Sequence, residues 1–423
     1  MEYFQYREGE LLCEDVAVRD IAEEFGTPLY IYSKQQLIDN FRSIDRSFTD
    51  VEHTTCYALK ANSNPELLKI LVQEGAGADA VSAGEIHFAL NAGFAPSKIT
   101  FAGVGKQDSE IEFAISKDIF SFNVESVEEL DVINEIAGRL GAKARIALRI
   151  NPDIDAATHP YISTGLKTNK FGIDIAVAAE TYTYAASLPN ISVEGIHTHI
   201  GSQIMSLDPF TQTAQKVVDL VAGLRTAGIA IRHIDFGGGF GVSYKNVLEH
   251  PLLPKEPLAH ADASPGNSAF ITSVLPILKQ AGCALVIEPG RSIVANTGIL
   301  VTKVLYRKHN DVKQFVIVDA GMNDLIRPSL YHAYHQIVPL TLQNKGHELA
   351  DIVGPVCESG DFLARDRTLP VVHRGEYLAV MTAGAYGFSL TSHYNARPNA
   401  AEILVNGEKV RVVRERESIE DLQ

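Results

Sequence analysis

Lys60 stands directly after the apolar run in CYALKAN. A lysine in that position is ordinarily a solvated charge or half of a surface ion pair. At the mouth of a barrel, partial desolvation lowers the amine pKa, so that it can attack an aldehyde and form a Schiff base. Gly237, Gly238 and Gly239, in IDFGGGFG, make a tight turn or leave bare backbone N–H groups that a phosphate can approach, and Glu288-Pro-Gly-Arg291 offers a second such loop. The spacing is not the GxGxxG of a dinucleotide site. GVGK at 103–106 resembles a fragment of a P-loop, but Thr100 stands where that motif needs its first glycine and Gln107 follows the lysine, so it is set aside. His197 and His199 fall on alternate residues of one apolar run, hence on one face of a strand. Three readings stay open for them: an HxH metal pair, a histidine packed against a flat cofactor, or a hydrogen-bonded core histidine. A metal site would need further Asp or His at other strand ends, and none is convincingly placed, so no metal is expected. Glu288 is a structural carboxylate or, buried beside a pyridine nitrogen, a group that keeps that nitrogen protonated. The resulting electron sink suits decarboxylation.

These residues need a frame that brings distant segments together. Between residues 54 and 288 lie eight short apolar or β-branched runs, at 54–59, 78–81, 99–102, 119–124, 144–150, 193–199, 233–236 and 284–287. Each is separated from the next by enough chain for a helix. Leu37, Phe41, Ile44 and Phe48 recur at helical spacing before the first run, as do Leu67, Leu68, Leu71 and Val72 after it. Continuous apolar strands alternating with helices predict a parallel sheet covered on both faces, and eight of them predict a closed (β/α)₈ barrel. Barrel enzymes carry their chemistry at the carboxyl ends of the strands. Here those ends hold Lys60, Gly103, Asn123, Asn151, His199, Gly237 to Gly239 and Glu288.

The texture changes near residue 292. VTKVLY, KQFVIVDAG, ELADIVGP, EYLAVMTAG and AEILVNGEKVRVV are strand-length runs with turn residues between them, which predict a β-rich second domain. LLCEDVAV near the N-terminus is expected to add a strand to it. The expected division is an N-terminal segment 1–33 joining the β domain, a barrel over 34–291 and the β-rich domain over 292–423. The stretch 246–266, with Pro251, Pro254, Pro257 and Pro265, reads as an irregular loop inside the barrel span.

A length of 423 residues accommodates a barrel of about 250 residues plus a second domain. The net charge of −15 argues against nucleic acid or an anionic membrane as partner, and no window approaches the roughly 18 apolar residues of a membrane span. MEYFQYREGE lacks the basic and apolar stretches of a signal peptide, so a cytoplasmic protein acting on a small molecule is expected. Cys13, Cys56, Cys283 and Cys357 show no paired spacing, which suits reduced thiols.

YALKAN (57–62), GADAVSAGE (77–85), HTHIGSQI (197–204), FGGGFG (236–241), EPGR (288–291), DAGMNDLIRPSLY (319–331), CESGD (357–361) and GAYGFS (384–389) occur in one order over about residues 20 to 400. In this the chain resembles the diaminopimelate decarboxylase family, within the alanine-racemase-like fold of pyridoxal-phosphate enzymes, the group IV decarboxylases. It departs at Ala83, where a second glycine is common, and at RPNAAE near 397, where RPRPAE is more usual.

The resemblance implies decarboxylation of meso-2,6-diaminopimelate to L-lysine, with pyridoxal 5'-phosphate as cofactor. It implies that Lys60 holds the cofactor, His199 stacks on its ring and Glu288 pairs with the ring nitrogen. Asp79, Ser202, Gly238, Gly239, Gly290, Arg291 and Tyr386 are counted with the cofactor's surroundings. Arg291, Arg327, Tyr331 and Tyr386 would bind substrate, the arginines at the carboxylate that is not lost, and Glu358 would take the distal ammonium. Cys357 or Lys60 would return the proton to Cα. In this family Cys357 and Glu358 come from the neighbouring subunit, which implies a homodimer with shared sites. Decarboxylases of this fold acting on ornithine, arginine, D-lysine or carboxynorspermidine are the nearest alternative. The Glu of CESGD and the pair Arg291 and Arg327 favour a substrate with a second carboxylate.

Overall fold

The structure, a computed structural model, describes residues 2–156, 164–166, 169–259 and 262–422. The chain divides into two compact units. One comprises 40–241 and 264–292; the other comprises 1–39, 242–263 and 293–423.

The first unit is the barrel. Its strands are β1 (His53–Ala58), β2 (Gly77–Ala80), β3 (Ile99–Phe101), β4 (Ser121–Val124), β5 (Ala144–Asn151), β6 (Ile191–His197), β7 (His233–Asp235) and β8 (Ala284–Ile287). Each pairs in parallel with the next, and β8 returns to β1 through Leu285 opposite His53 and Ile287 opposite Thr55, which closes the ring. The strands are short and buried almost throughout, because one set of side chains fills the barrel and the other packs under the helices. The helical spacing after β1 gives the helix Pro65–Gln73, with proline in its first turn and the Asn64 side chain accepting the Glu66 N–H at 3.0 Å. Ser82 and Ser126 cap the helices after β2 and β4 in the same way. Such caps fix where each helix leaves the barrel mouth.

All eight strands lie where the apolar runs predict them, with one consequential difference. β6 ends at His197, so His199 lies beyond the strand and does not share its alternation.

The second unit holds a sheet in the order Phe362–Pro370, His347–Val353, Gln314–Val318, Gly298–His309, Leu29–Ser33, Ala401–Asn406 and Lys409–Arg414. The twelve-residue strand Gly298–His309 also pairs with Tyr377–Val380, which in turn pairs with Ile337–Pro339. Leu29, Ile31, Ile299, Val301, Ala379 and Ile403 share one core.

The N-terminal strand that enters this sheet is Leu29–Ser33, not LLCEDVAV. Glu10–Cys13 instead forms a small sheet with Phe4–Arg7 and Val16–Ala17, and Glu10 makes an isolated bridge to Thr341, two residues past the strand Ile337–Pro339. LYIYS is buried at every residue, lying between two strands, and so lacks the alternation of a half-exposed strand. Phe362–Pro370 was also not legible as a strand, because Arg365, Asp366 and Arg367 interrupt its apolar pattern. The loop 246–266 is irregular where described, residues 260–261 lying outside the described residues. Yet 242–263 groups with the β-rich unit, not with the barrel span 34–291, because Leu248 and Leu253 belong to that unit's core.

Candidate active site

Inside the barrel the carboxyl ends of the strands converge on Glu288, the residue after β8. Its Oε2 accepts from His197 Nε2 at 3.1 Å, and its Oε1 accepts from Asn123 Nδ2 at 3.1 Å and Thr100 Oγ1 at 3.2 Å. Strands β3, β4 and β6 therefore each contribute one donor to a single carboxylate that is almost wholly buried. Burial alone pushes Glu288 up, but His197, Lys60 and the neighbouring Asp235 overcome it, and the net shift is well below the usual carboxylate range. Asp235 carries the opposite shift. Burial first, and then the charge of Glu288, raise it well above that range. With two acids so close, burial and mutual repulsion push the pair apart, Asp235 toward its neutral form and Glu288 toward its anion.

Lys60 occupies a single 3₁₀ turn, Leu59–Ala61, immediately after β1, and its Nζ pairs with Asp79 Oδ2 on β2. Asp79 is fully buried. Burial and Glu288 raise its pKa, while Lys60 opposes the shift. Asp79 Oδ1 and His197 Nδ1 have no hydrogen-bond partner among the described residues. Orphaned polar atoms in a barrel interior are what a bound polar group satisfies.

The glycine turn follows β7. Gly237 and Gly239 have φ of +65° and +100°, a region that residues with a side chain rarely adopt. The turn is also packed from below: a Cβ on Gly238 would lie 2.2 Å from the Glu288 carbonyl oxygen, and one on Gly239 would lie 2.2 Å from that of Gly201. Gly237 N–H donates to Asp235 Oδ1 at 3.0 Å, and the Gly238 N–H donates to His199 Nδ1 at 3.1 Å. His199 Nδ1 is thus an acceptor and the imidazole proton sits on Nε2. Burial first, then Arg149 and Lys60, hold His199 well below its ordinary pKa, so the ring is neutral. Arg291 opens the short helix Arg291–Val294 and its Nη2 donates to Ser202 Oγ at 3.1 Å. Gly290 fits closely against Ala58 and Ala61 at the foot of the Lys60 turn. Gly238→Ala is expected to lower stability by about 1–3 kcal/mol, the usual effect of overpacking. Thermal denaturation would read this as a clear drop in Tm, and an unchanged Tm would mean that the turn relaxes without difficulty.

Lys60, Asp79, His199, Ser202, Gly238, Gly239, Glu288, Gly290 and Arg291 thus all lie in the barrel unit. The sequence alone did not single out Asp235, Asn123 or Thr100 as partners of Glu288, nor His197 as its neighbour. Placing these four on strands was straightforward, but which interior residues meet depends on register around the ring. The expectation that no further Asp or His is placed at a strand end beside Glu288 and the histidines is corrected by Asp235, the last residue of β7. His197, Asp235 and Glu288 bring one potential ligand atom each within 4.8 Å of one another, whereas His199 turns to the glycine loop. Glu85 also went unnoticed: it accepts the Val81 N–H at 2.8 Å, and burial pushes it up to about 7.

The β-rich unit holds the other residues. Arg327, at the start of the short helix Arg327–Tyr331, is buried with its guanidinium 4.7 Å from the Tyr244 ring centroid, and Tyr331 is half-buried. Ser329 Oγ donates to the Gly360 carbonyl, tying this helix to the CESGD turn. In that turn Asp361 accepts the Met322 and Val356 N–H groups at 2.6 Å each, while Cys357 and Glu358 are exposed. Tyr394 Oη donates to Glu358 at 3.4 Å, and the Cys357 N–H donates to Asn395 Oδ1 at 2.7 Å. Tyr386 has φ of +55° in the GAYGFS loop.

A family model described as pyridoxal-dependent decarboxylase, pyridoxal binding domain, matches residues 34–295. The diaminopimelate decarboxylase of Aquifex aeolicus is 49% identical over 98% of this chain and 95% of its own length. That of Vibrio cholerae is 48% identical over 100% of this chain and 98% of its own. Among solved structures, diaminopimelate decarboxylase from Helicobacter pylori, complexed with L-lysine, is similar at a TM-score of 0.87 and 44% identity, covering 96% of this chain and 98% of that one. With such full-length likeness added to the barrel, its buried Glu288 and the lysine and glycine turns around it, the chain belongs to the pyridoxal-dependent decarboxylases, and within them to the diaminopimelate decarboxylase family.

Proposed function

We infer that the protein decarboxylates meso-2,6-diaminopimelate to L-lysine and carbon dioxide with pyridoxal 5'-phosphate as cofactor. The observation that carries this reading is Glu288, a buried carboxylate that accepts hydrogen bonds from His197, Asn123 and Thr100 on three different strands. Such a group holds a proton on a ring nitrogen. The cofactor supplies, when bound, a ring that accepts the electron pair left as a bond to Cα breaks.

The chain's own residues have complementary tasks. Lys60, drawn toward Asp79, holds the cofactor aldehyde. The neutral His199 ring would stack on the cofactor ring and, carrying no charge, would leave the pairing with the ring nitrogen to Glu288. Ser202, Gly238, Gly239, Gly290, Arg291 and Tyr386 form the phosphate's surroundings, where bare glycine backbone permits close approach. Arg291, Arg327 and Tyr331 bind the carboxylate that is retained, a task suited to a guanidinium fork. Tyr386 also lines the substrate, Glu358 takes the distal ammonium, and Cys357 or Lys60 returns a proton to Cα.

The proposed working unit is a cytoplasmic homodimer in which Cys357 and Glu358 serve the partner's site, with neither nucleic acid nor membrane as partner. Among the described residues no helix is long and apolar enough to cross a membrane. Carbon dioxide release from a panel of amino acids tests the substrate assignment: diaminopimelate should exceed ornithine, arginine and D-lysine. Arg327→Ala should weaken diaminopimelate by about 2 kcal/mol or more, the effect of truncating a buried charged partner. D-Lysine and ornithine, lacking the second carboxylate, should be affected far less, and equal losses on all substrates would remove Arg327 from recognition. Mixed dimers of Lys60→Ala and Glu358→Ala chains should recover activity, since one of the two sites receives both intact residues. Verified heterodimers without activity would show that each site uses a single chain.

A further inference from the structure

We infer that His335 is a specificity-determining positioning residue, which aims Arg327 at the retained substrate carboxylate by presenting it with a neutral imidazole nitrogen. The inference rests on the reading of Arg327 given above. His335 is completely buried. Its Nδ1 lies 2.8 Å from the Met381 carbonyl oxygen and its Nε2 lies 2.9 Å from Arg327 Nη1. A carbonyl can only accept, so Nδ1 carries the proton. A guanidinium can only donate, so Nε2 must offer its lone pair. Both neighbours therefore demand the same neutral tautomer.

The imidazole is itself well anchored. Its backbone carbonyl accepts from Arg367 Nη1 at 2.6 Å, and the next residue, Gln336, accepts the Met381 N–H through its own carbonyl at 2.8 Å. The Gln336 side chain bonds both the N–H and the carbonyl of Leu248 at 2.9 Å, fastening the segment that carries Tyr244. Tyr244 meets the His335 ring edge to face at 5.0 Å, and the Arg327 guanidinium lies over the same tyrosine. Arg327 is thereby held along one edge by a hydrogen bond and across one face by an aromatic ring. A long cationic side chain held in this way loses less freedom when it meets a carboxylate, which strengthens binding without any contact between His335 and the ligand.

Asparagine and glutamine separate the two nitrogens. His335→Gln places an amide oxygen near the Nε2 position and can still accept from Arg327. His335→Asn reaches the Met381 carbonyl but falls short of the guanidinium. L-lysine and cadaverine are suitable probes, because both carry the same terminal amines and only L-lysine has the carboxylate. Calorimetric titration of the cofactor-loaded enzyme should show L-lysine weakened at least about tenfold in His335→Asn, as for loss of a hydrogen bond to a charged group. Cadaverine should change by less than about twofold, and His335→Gln should restore most of the L-lysine affinity. In an Arg327→Ala background neither substitution should alter L-lysine binding further, as expected for residues that act as one unit.

Equal weakening of both ligands by His335→Asn, or an undiminished effect in the Arg327→Ala background, would overturn the positioning role. If Arg327→Ala shifts the ratio of the two affinities and His335→Asn does not, the inference fails alone. An unchanged ratio in Arg327→Ala itself would instead sink the carboxylate reading of Arg327, and the role of His335 with it.

Discussion

Lys60→Ala should abolish turnover and the visible absorbance of the cofactor-loaded enzyme. The amine is placed by the 3₁₀ turn after β1 and paired with Asp79 across the gap to β2, and an alanine there leaves the cofactor aldehyde with no nucleophile at that position. Lys106, which follows β3, is no substitute. Its Nζ is committed to the carbonyl oxygens of Gly103 and Asn123 at 2.8 and 2.9 Å and to Glu129 at 2.6 Å, with its side chain almost fully buried. Borohydride treatment followed by mass spectrometry of peptides checks the assignment directly. A reducible adduct in the alanine variant, on any other lysine, would displace Lys60 from its role.

Glu288→Gln should keep the fold and bind the cofactor, yet turn over orders of magnitude more slowly. Glutamine occupies nearly the same volume and can still accept from His197, Asn123 or Thr100, so packing is largely preserved. It cannot carry the negative charge that holds a proton on the ring nitrogen. Asp235 does not make good the lost charge: burial is the first cause that raises its pKa, and burial persists when Glu288 becomes an amide. Steady-state kinetics and an absorbance titration of cofactor binding separate the two effects. A rate within about threefold of the parent corresponds to less than about 1 kcal/mol of barrier and would take Glu288 out of the mechanism.

Much of the candidate site is legible in the sequence. Lys60, Gly237 to Gly239 and Glu288 stand at strand ends in the sequence itself, and barrel strands deliver their carboxyl ends to one face whatever their order. The substrate roles proposed for Arg291 and Arg327, and for the CESGD turn, are legible only through resemblance. Arg327 lies in a β-rich unit, where composition says little about which residue will be buried beside Tyr244 and His335. The same holds for Asp235. Within IDFGGGFG it looks like a turn former, whereas in the barrel it neighbours Glu288 and supports the Gly237 N–H.

Local sequence determined the alternation of strands and helices, the caps Asn64, Ser82 and Ser126, and the glycine turn, because each depends on residues within a few positions of one another. Only the tertiary structure decided that LYIYS, not LLCEDVAV, enters the second sheet, since a run buried on both faces has no period to read. It decided too that 242–263 leaves the barrel for the other unit's core, and that His197 meets Glu288 while His199 turns to Gly238. Those choices rest on partners from 39 to 372 residues apart in the chain. Contacts of that kind are selected by packing, register and the burial of charge, none of which is encoded in any one stretch of sequence.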